Sequence, residues 1–369
     1  MVVVVAVAVV VAVAVVEVVD MCVGKKCVNR LMLQWHITNR CNLRCKHCYQ
    51  EDYNGDELTL DEIKRVLAEY VELIQSYCKN KGIDFIRGHI NVTGGEPFIR
   101  EDFFEILAEF SKYKKFFSYG ILTNGTYIND ETAKKLVELN VSHVQVSMEG
   151  DKATHDSIRG TGSFDKTMSA LKTLSKHNIT SHVSFTAHKQ NYKEFSYVCK
   201  HSRKAKASKV WTDRLVPMGN GKEMSEQLLS KDEALEFFGV IMSEKNKKFR
   251  NKISNLEVSS VRSLQFLKSG ERPYSCSAGD SLITILENGD VLPCRRMPIP
   301  TDNILNYSLS EIYYDHKVFK DLRQENIPEE CKQCVYASKC RGGSKCISYA
   351  LYNDYTKPDP SCPILKSKS

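Results

Sequence analysis

The sequence predicts an α/β fold, a mostly parallel sheet with crossover helices, followed by a small cysteine-rich domain. Two observations carry this. From Leu31 onward, short β-rich runs alternate with amphipathic helical stretches. After about residue 250 that alternation fades into a region rich in Cys, Gly and Pro. With 369 residues, the chain can bury a core large enough to need no disulfide staples.

Six strand-helix units are expected. The strands read as 32–38, 89–93, 118–123, 143–148, 182–186 and 210–216, and the helices as 60–77, 101–113, 130–139, 163–177, 192–205 and 231–242. This places one domain over about 28–250 and a second over about 270–365. Sheets of this kind carry their chemistry in the loops after the strand C-termini. A cysteine group follows the first strand, Gly94-Gly95-Glu96-Pro97 the second, Thr123-Asn124-Gly125 the third and Ser147-Met148-Glu149-Gly150 the fourth. The fold therefore brings four polar motifs to one face.

Residues 1–20 are a Val/Ala-rich extension, uncharged until Glu17 and Asp20. The run lacks the positive start and cleavage site of a signal peptide and falls short of the roughly 18 residues that span a membrane. It reads as a dispensable or mistakenly included extension, with Met21 as an alternative start; a membrane anchor and an added strand are the competing readings. No membrane association is expected.

Of 14 cysteines, ten fall into two groups, Cys41 to Cys48 and Cys276 to Cys362. Such clustering in a long chain favours metal ligation in a reducing, cytoplasmic compartment over disulfides. Cys22, Cys27, Cys78 and Cys199 read as ordinary thiols. The first group, Cys41-x3-Cys45-x2-Cys48, can set three sulfurs on three corners of a [4Fe-4S] cluster and leave one iron open. A zinc site is the rival, although it needs four ligands in a closed tetrahedron and His47 is badly placed as the fourth. Free thiols are the third reading.

This spacing after a first strand resembles the radical S-adenosylmethionine (SAM) superfamily. The resemblance extends to Gly94-Gly95-Glu96-Pro97, one unit later, and it implies a partial (β/α)6 TIM-like barrel. It also implies that the glycines allow close backbone approach and that Glu96 accepts hydrogen bonds from the cofactor's amino group. Ser147 and Arg159 match positions that contact the cofactor's carboxylate, with a strand-end cap and a surface salt bridge as their bland alternatives. Asn124 belongs to the same binding loop set. His47 stands where the family usually has Tyr or Phe beside the adenine, a departure an imidazole can fill by stacking. The implied chemistry is reductive cleavage of SAM to a 5′-deoxyadenosyl radical that abstracts hydrogen from a substrate, driven by a low-potential flavodoxin- or ferredoxin-type donor.

The second group runs Cys276-x17-Cys294, then Cys331-x2-Cys334-x5-Cys340-x5-Cys346-x15-Cys362, with Asn288-Gly289 as a tight-hairpin signal. It resembles the SPASM extension, which binds up to two auxiliary [4Fe-4S] clusters; zinc ribbons are the alternative. The resemblance implies that Cys331, Cys334, Cys340 and Cys362 close one cluster. Cys276, Cys294 and Cys346 hold the other, with an open iron or an oxygen ligand such as Tyr274 or Asp280. Five residues between Cys340 and Cys346, where three are usual, leave open an exchange of these two.

SPASM enzymes mostly act on peptides and proteins. The sulfatase-maturing branch has an acidic proton acceptor directly after the position of Cys294, whereas this chain has Arg295-Arg296, so that branch is disfavoured. The expected activity is peptide or protein modification by thioether or other cross-linking, with Arg295 and Arg296 receiving an acidic leader or core peptide, or else pairing with nearby acids. No catalytic base is assigned. Fewer than 25 credible residues precede the first strand, so a leader-binding domain is expected to be a separate protein. A tetrapyrrole side-chain modifying enzyme is the alternative, and a non-enzymatic zinc or iron-sulfur sensor the competing class. The formal charge of +7 falls to about +3 once three clusters on ten thiolates are counted. With Lys and Arg scattered, nucleic-acid binding is not expected.

Overall fold

The structure is a computed structural model that describes residues 30–324 and 326–365; the expectations for residues 1–20 and for Cys22 and Cys27 lie outside the described residues. Six strand-helix units come first among the described residues. They are β1 (Met32–His36) with α1 (Leu60–Lys81), β2 (Gly88–Thr93) with α2 (Phe103–Lys112), β3 (Phe117–Thr123) with α3 (Asp130–Glu138), and β4 (Val144–Ser147) with α4 (Lys152–Arg159) and α5 (Ser163–Lys176). They continue with β5 (Ser181–Ala187) and α6 (Phe195–Lys204), then β6 (Lys209–Arg214) and α7 (Lys231–Lys245). The expected elements stand within a few residues of their places, and α4 is an addition.

Local chemistry accounts for these boundaries. On α1 the buried residues Ile63, Val66, Leu67, Tyr70, Ile74 and Tyr77 recur at three- and four-residue steps and face the sheet. Thr59 and Glu62 close a capping box at its start, and Gly82, at φ 62°, ends it in the left-handed conformation. In the strands, one set of alternate residues (Leu33 and Trp35, Ile90 and Val92, Val144 and Val146) is fully buried under the helices. The other set is polar and meets inside the curl of the sheet, where the Trp211 indole donates to Gln145 Oε1 at 2.7 Å across two strands.

The nine strands run in the order β7-β6-β5-β4-β3-β2-β1-β8-β9, where β7 is Glu257–Val258, β8 Leu282–Ile285 and β9 Val291–Leu292. All pairs are parallel except β8 with β9. The two ends of the sheet do not meet, so the barrel is partial. The Asn288-Gly289 hairpin forms, with Gly289 at φ 90°. Its first strand pairs in parallel with β1, Leu33 opposite Ile283. The cysteine-rich region thus continues the barrel's own sheet. A buried ion pair adds to the join: Arg214 at the end of β6 donates to Asp359 at 3.0 Å, and Asp359 is fully buried.

Candidate active site

Where β1 ends, the chain turns into the cysteine loop against the turn that follows β2. Gly95 N donates to Thr38 O and Glu96 N to Arg40 O, both at 2.8 Å. A Cβ on Gly94 would stand 2.3 Å from Thr38 O, and one on Gly95 2.2 Å from Arg40 O. The two glycines are therefore demanded by the cysteine loop's own backbone, which seats the loop on the sheet.

Glu96 is fully buried. Its carboxylate accepts from the Thr123 hydroxyl at 2.7 Å and from Asn124 N at 2.8 Å. Burial nevertheless pushes its pKa up to about 7, against the pull of those hydrogen bonds. Such a group is poised to regain its charge when a cation arrives. The Asn124 side chain reaches Asn42 of the cysteine loop at 2.9 Å. The motifs of β2, β3 and the first loop thus form one wall.

The opposite wall is built on Glu149, at the end of β4. Its carboxylate accepts from Arg159 Nη2 at 2.6 Å and from Thr186 N at 2.9 Å, and lies 3.1 Å from His47 Nε2. Burial pushes this carboxyl up, but Arg159 and His47 outweigh it and hold the group well below the usual carboxylate range. The Arg159 guanidinium also points a nitrogen at Cys45 Sγ, 3.8 Å away. The bland alternative for Arg159 is a surface salt bridge; the residue does pair with Glu149, but in a largely buried site. His47 is turned to Glu149, and the Ser147 hydroxyl accepts from the Ser184 hydroxyl at 3.4 Å. Glu149 was not singled out from the sequence; its one signal was its place in the Ser147–Gly150 strand-end motif.

The thiols of Cys41, Cys45 and Cys48 lie within electrostatic reach of one another between these walls, and burial pushes Cys41 up to about 11. Three partly buried thiols that destabilise one another's anions fit a site built for a cationic core. Among the described residues, no three His, Cys, Asp or Glu side chains converge closely enough to hold a single ion. Three thiols from one loop suit three corners of a cuboidal cluster better than a closed tetrahedral zinc site, which takes four ligands.

The C-terminal cysteines separate into two sets. Cys331, Cys334, Cys340 and Cys362 sense one another's charge. Cys276, Cys294 and Cys346 line one cavity with Asp213, Tyr274 and Arg296. Burial pushes Cys346 up to about 12 against the pull of Arg296. Of the two oxygen donors named from the sequence, Tyr274 lines this cavity; Asp280 lies instead beside Tyr77 and Tyr313. Asp213, at the end of β6, reaches the cavity from the barrel, and no cysteine spacing could have announced it. Cys78 and Cys199 are buried in the core, apart from both sets.

The two cysteine regions meet at Tyr49. This residue follows Cys48, its ring lies edge-on to His36 at 6.1 Å, and Arg295 sits over it at 5.3 Å. Cys48 and Cys294 both act on its hydroxyl. The first loop and the three-cysteine region thus adjoin at Tyr49.

The family model of the radical SAM superfamily matches residues 35–201, and that of the iron-sulfur cluster-binding SPASM domain matches residues 276–335. An AdoMet-dependent heme synthase of Methanosarcina barkeri is 27% identical over 90% of this chain and 95% of its own. The mycofactocin maturase MftC of Mycolicibacterium smegmatis is 27% identical over 90% of this chain and 82% of its own. Among solved structures, Streptococcus suis SuiB bound to precursor peptide SuiA has a TM-score of 0.68 at 16% identity, over 90% of this chain and 76% of that one.

Proposed function

Because the chain belongs to the radical SAM superfamily and carries a SPASM domain, we propose that it modifies a peptide or protein substrate, forming a thioether or other cross-link. The observation that carries this reading is the junction at Tyr49, where Arg295 lies over the ring and both Cys48 and Cys294 act on its hydroxyl. A substrate held there touches both sites at once. Support for a peptide comes from the likeness to a mycofactocin maturase and to the fold of an enzyme solved with its precursor peptide.

When bound, a [4Fe-4S] cluster on Cys41, Cys45 and Cys48 with SAM supplies a 5′-deoxyadenosyl radical after one-electron reduction. The chain's residues orient the parts. Gly94 and Gly95 seat the cysteine loop, and Glu96, buried and only partly ionised, receives the cofactor's ammonium and regains its charge. Arg159, anchored on Glu149, lies beside Cys45 and offers its remaining guanidinium face to the cofactor's carboxylate; Ser147, Asn124 and His47 complete the pocket. Cys331, Cys334, Cys340 and Cys362 hold one auxiliary cluster; Cys276, Cys294 and Cys346 hold the other, with Tyr274 and Asp213 as the nearby oxygens. A flavodoxin- or ferredoxin-type protein delivers the electron.

Co-expression with short peptides encoded by neighbouring genes tests this reading: a substrate peptide should lose two hydrogens for each bond formed, by mass spectrometry. An unmodified peptide, together with SAM-dependent change of a porphyrin, contradicts it. That outcome belongs to the second reading, a tetrapyrrole side-chain modifying enzyme, which the likeness to a heme synthase favours.

A further inference from the structure

Arg295 and Arg296 are adjacent in sequence, but their surroundings separate their roles. Arg296 turns into the three-cysteine cavity and pairs with Asp213 at 2.8 Å. Arg295 makes no ion pair of this kind among the described residues. Its guanidinium lies over the Tyr49 ring, in the seam between Cys48 and Cys294. The other groups that feel its charge are the buried His36, which it helps hold well below the usual histidine range after burial itself, and Glu287, whose carboxyl burial pushes up and Arg295 pulls back. A half-buried guanidinium with a rigid fork of donors, held over an aromatic ring and carrying no carboxylate among the described residues, is chemically suited to a carboxylate.

From this we infer that Arg295 is the specificity-determining residue that binds a carboxylate of the substrate and holds it against Tyr49. The inference rests on the reading of this junction as the substrate site. It names the chemistry the substrate must carry, which is a free carboxylate. An acidic side chain or the C-terminus of a peptide supplies it, and so does a propionate of a tetrapyrrole. The tyrosine ring beneath the guanidinium keeps the fork in the seam and shields one face from water, which strengthens a bidentate pair.

The test uses the anaerobically reconstituted, cluster-loaded protein and two probe pairs. One is iron coproporphyrin III against its tetramethyl ester, followed by absorbance. The other is a labelled Glu-containing peptide with a free C-terminus against its Gln, amidated counterpart, followed by anisotropy. The wild type should prefer the acid of one pair by about 10- to 100-fold, and which pair it prefers identifies the source. Arg295→Gln should erase that preference, and Arg295→Lys, which keeps the charge without the fork, should retain part of it. Two results overturn the inference. One is a wild type that prefers neither acid. The other is an Arg295→Gln protein that keeps the preference while the midpoint potentials of its clusters shift, since Arg295 then serves the clusters. Binding requires no turnover, so an unmodified co-expressed peptide would count against the proposed reaction and leave this result intact.

Discussion

Glu149 carries its charge at 1% side-chain exposure, and Arg159 at 13% is its strongest partner. Truncating Arg159 to Ala leaves a buried anion with the His47 contact and one backbone donor, and is expected to cost about 3–5 kcal/mol. Because the native carboxyl is held below its unfolded value, its stabilisation is present above about pH 4.3 and is lost as pH falls further. The gap between wild type and Arg159→Ala in urea unfolding should therefore be widest near neutrality and narrow in acid. A gap that does not change with pH would mean that Glu149 is not the group responsible. At this scale the sequence was legible where a residue type was rare or its spacing fixed, as for the cysteines and Glu96. It was silent on Glu149, Asp213 and Tyr49, ordinary residues whose importance comes from tertiary neighbours.

Among the elements, the strands and main helices were legible because a parallel sheet with helices over it writes a long, regular hydrophobic pattern. The short α4 was not, since only His155 and Ile158 on it are buried, too few to show a period. Its marks were Asp151 capping Thr154 N and Gly160 just past its end. The polar lining of the barrel also escaped the pattern. His89, His143 and His182 stack there, with ring centroids 5.3 and 4.3 Å apart. Burial first, then nearby positive charge, pushes them down to about 3, 3 and 4, so all three are neutral at pH 7. The stack needs Gly120, where a Cβ would stand 2.3 Å from the His143 ring. Gly120→Ala is expected to destabilise the fold by about 1–3 kcal/mol by forcing that ring out of place, seen as a lowered unfolding midpoint with unchanged iron content. A midpoint equal to the wild type would show the stack to be yielding.

Over the whole molecule, the division into a barrel and a cysteine-rich region was legible from composition. What composition does not carry is their union, in which β8 extends the barrel sheet beside β1 and Arg214 meets Asp359. Pairings between strands some 250 residues apart leave no local trace in a single sequence. The union matters because it fixes the three-cysteine cavity next to the first loop, with Asp213 of β6 as part of its lining. Three separate cysteine sites are expected each to hold an iron-sulfur cluster. The most direct test is the iron and acid-labile sulfide content of the anaerobically reconstituted protein, measured beside dithionite-dependent release of 5′-deoxyadenosine. About twelve irons and as many sulfides per chain are expected, falling to about eight, with no release, when Cys41, Cys45 and Cys48 are all replaced by Ala. The Cys346→Ala protein should still cleave SAM and lose substrate turnover. Zinc without sulfide, or about four irons that survive loss of the first three cysteines, would contradict the account.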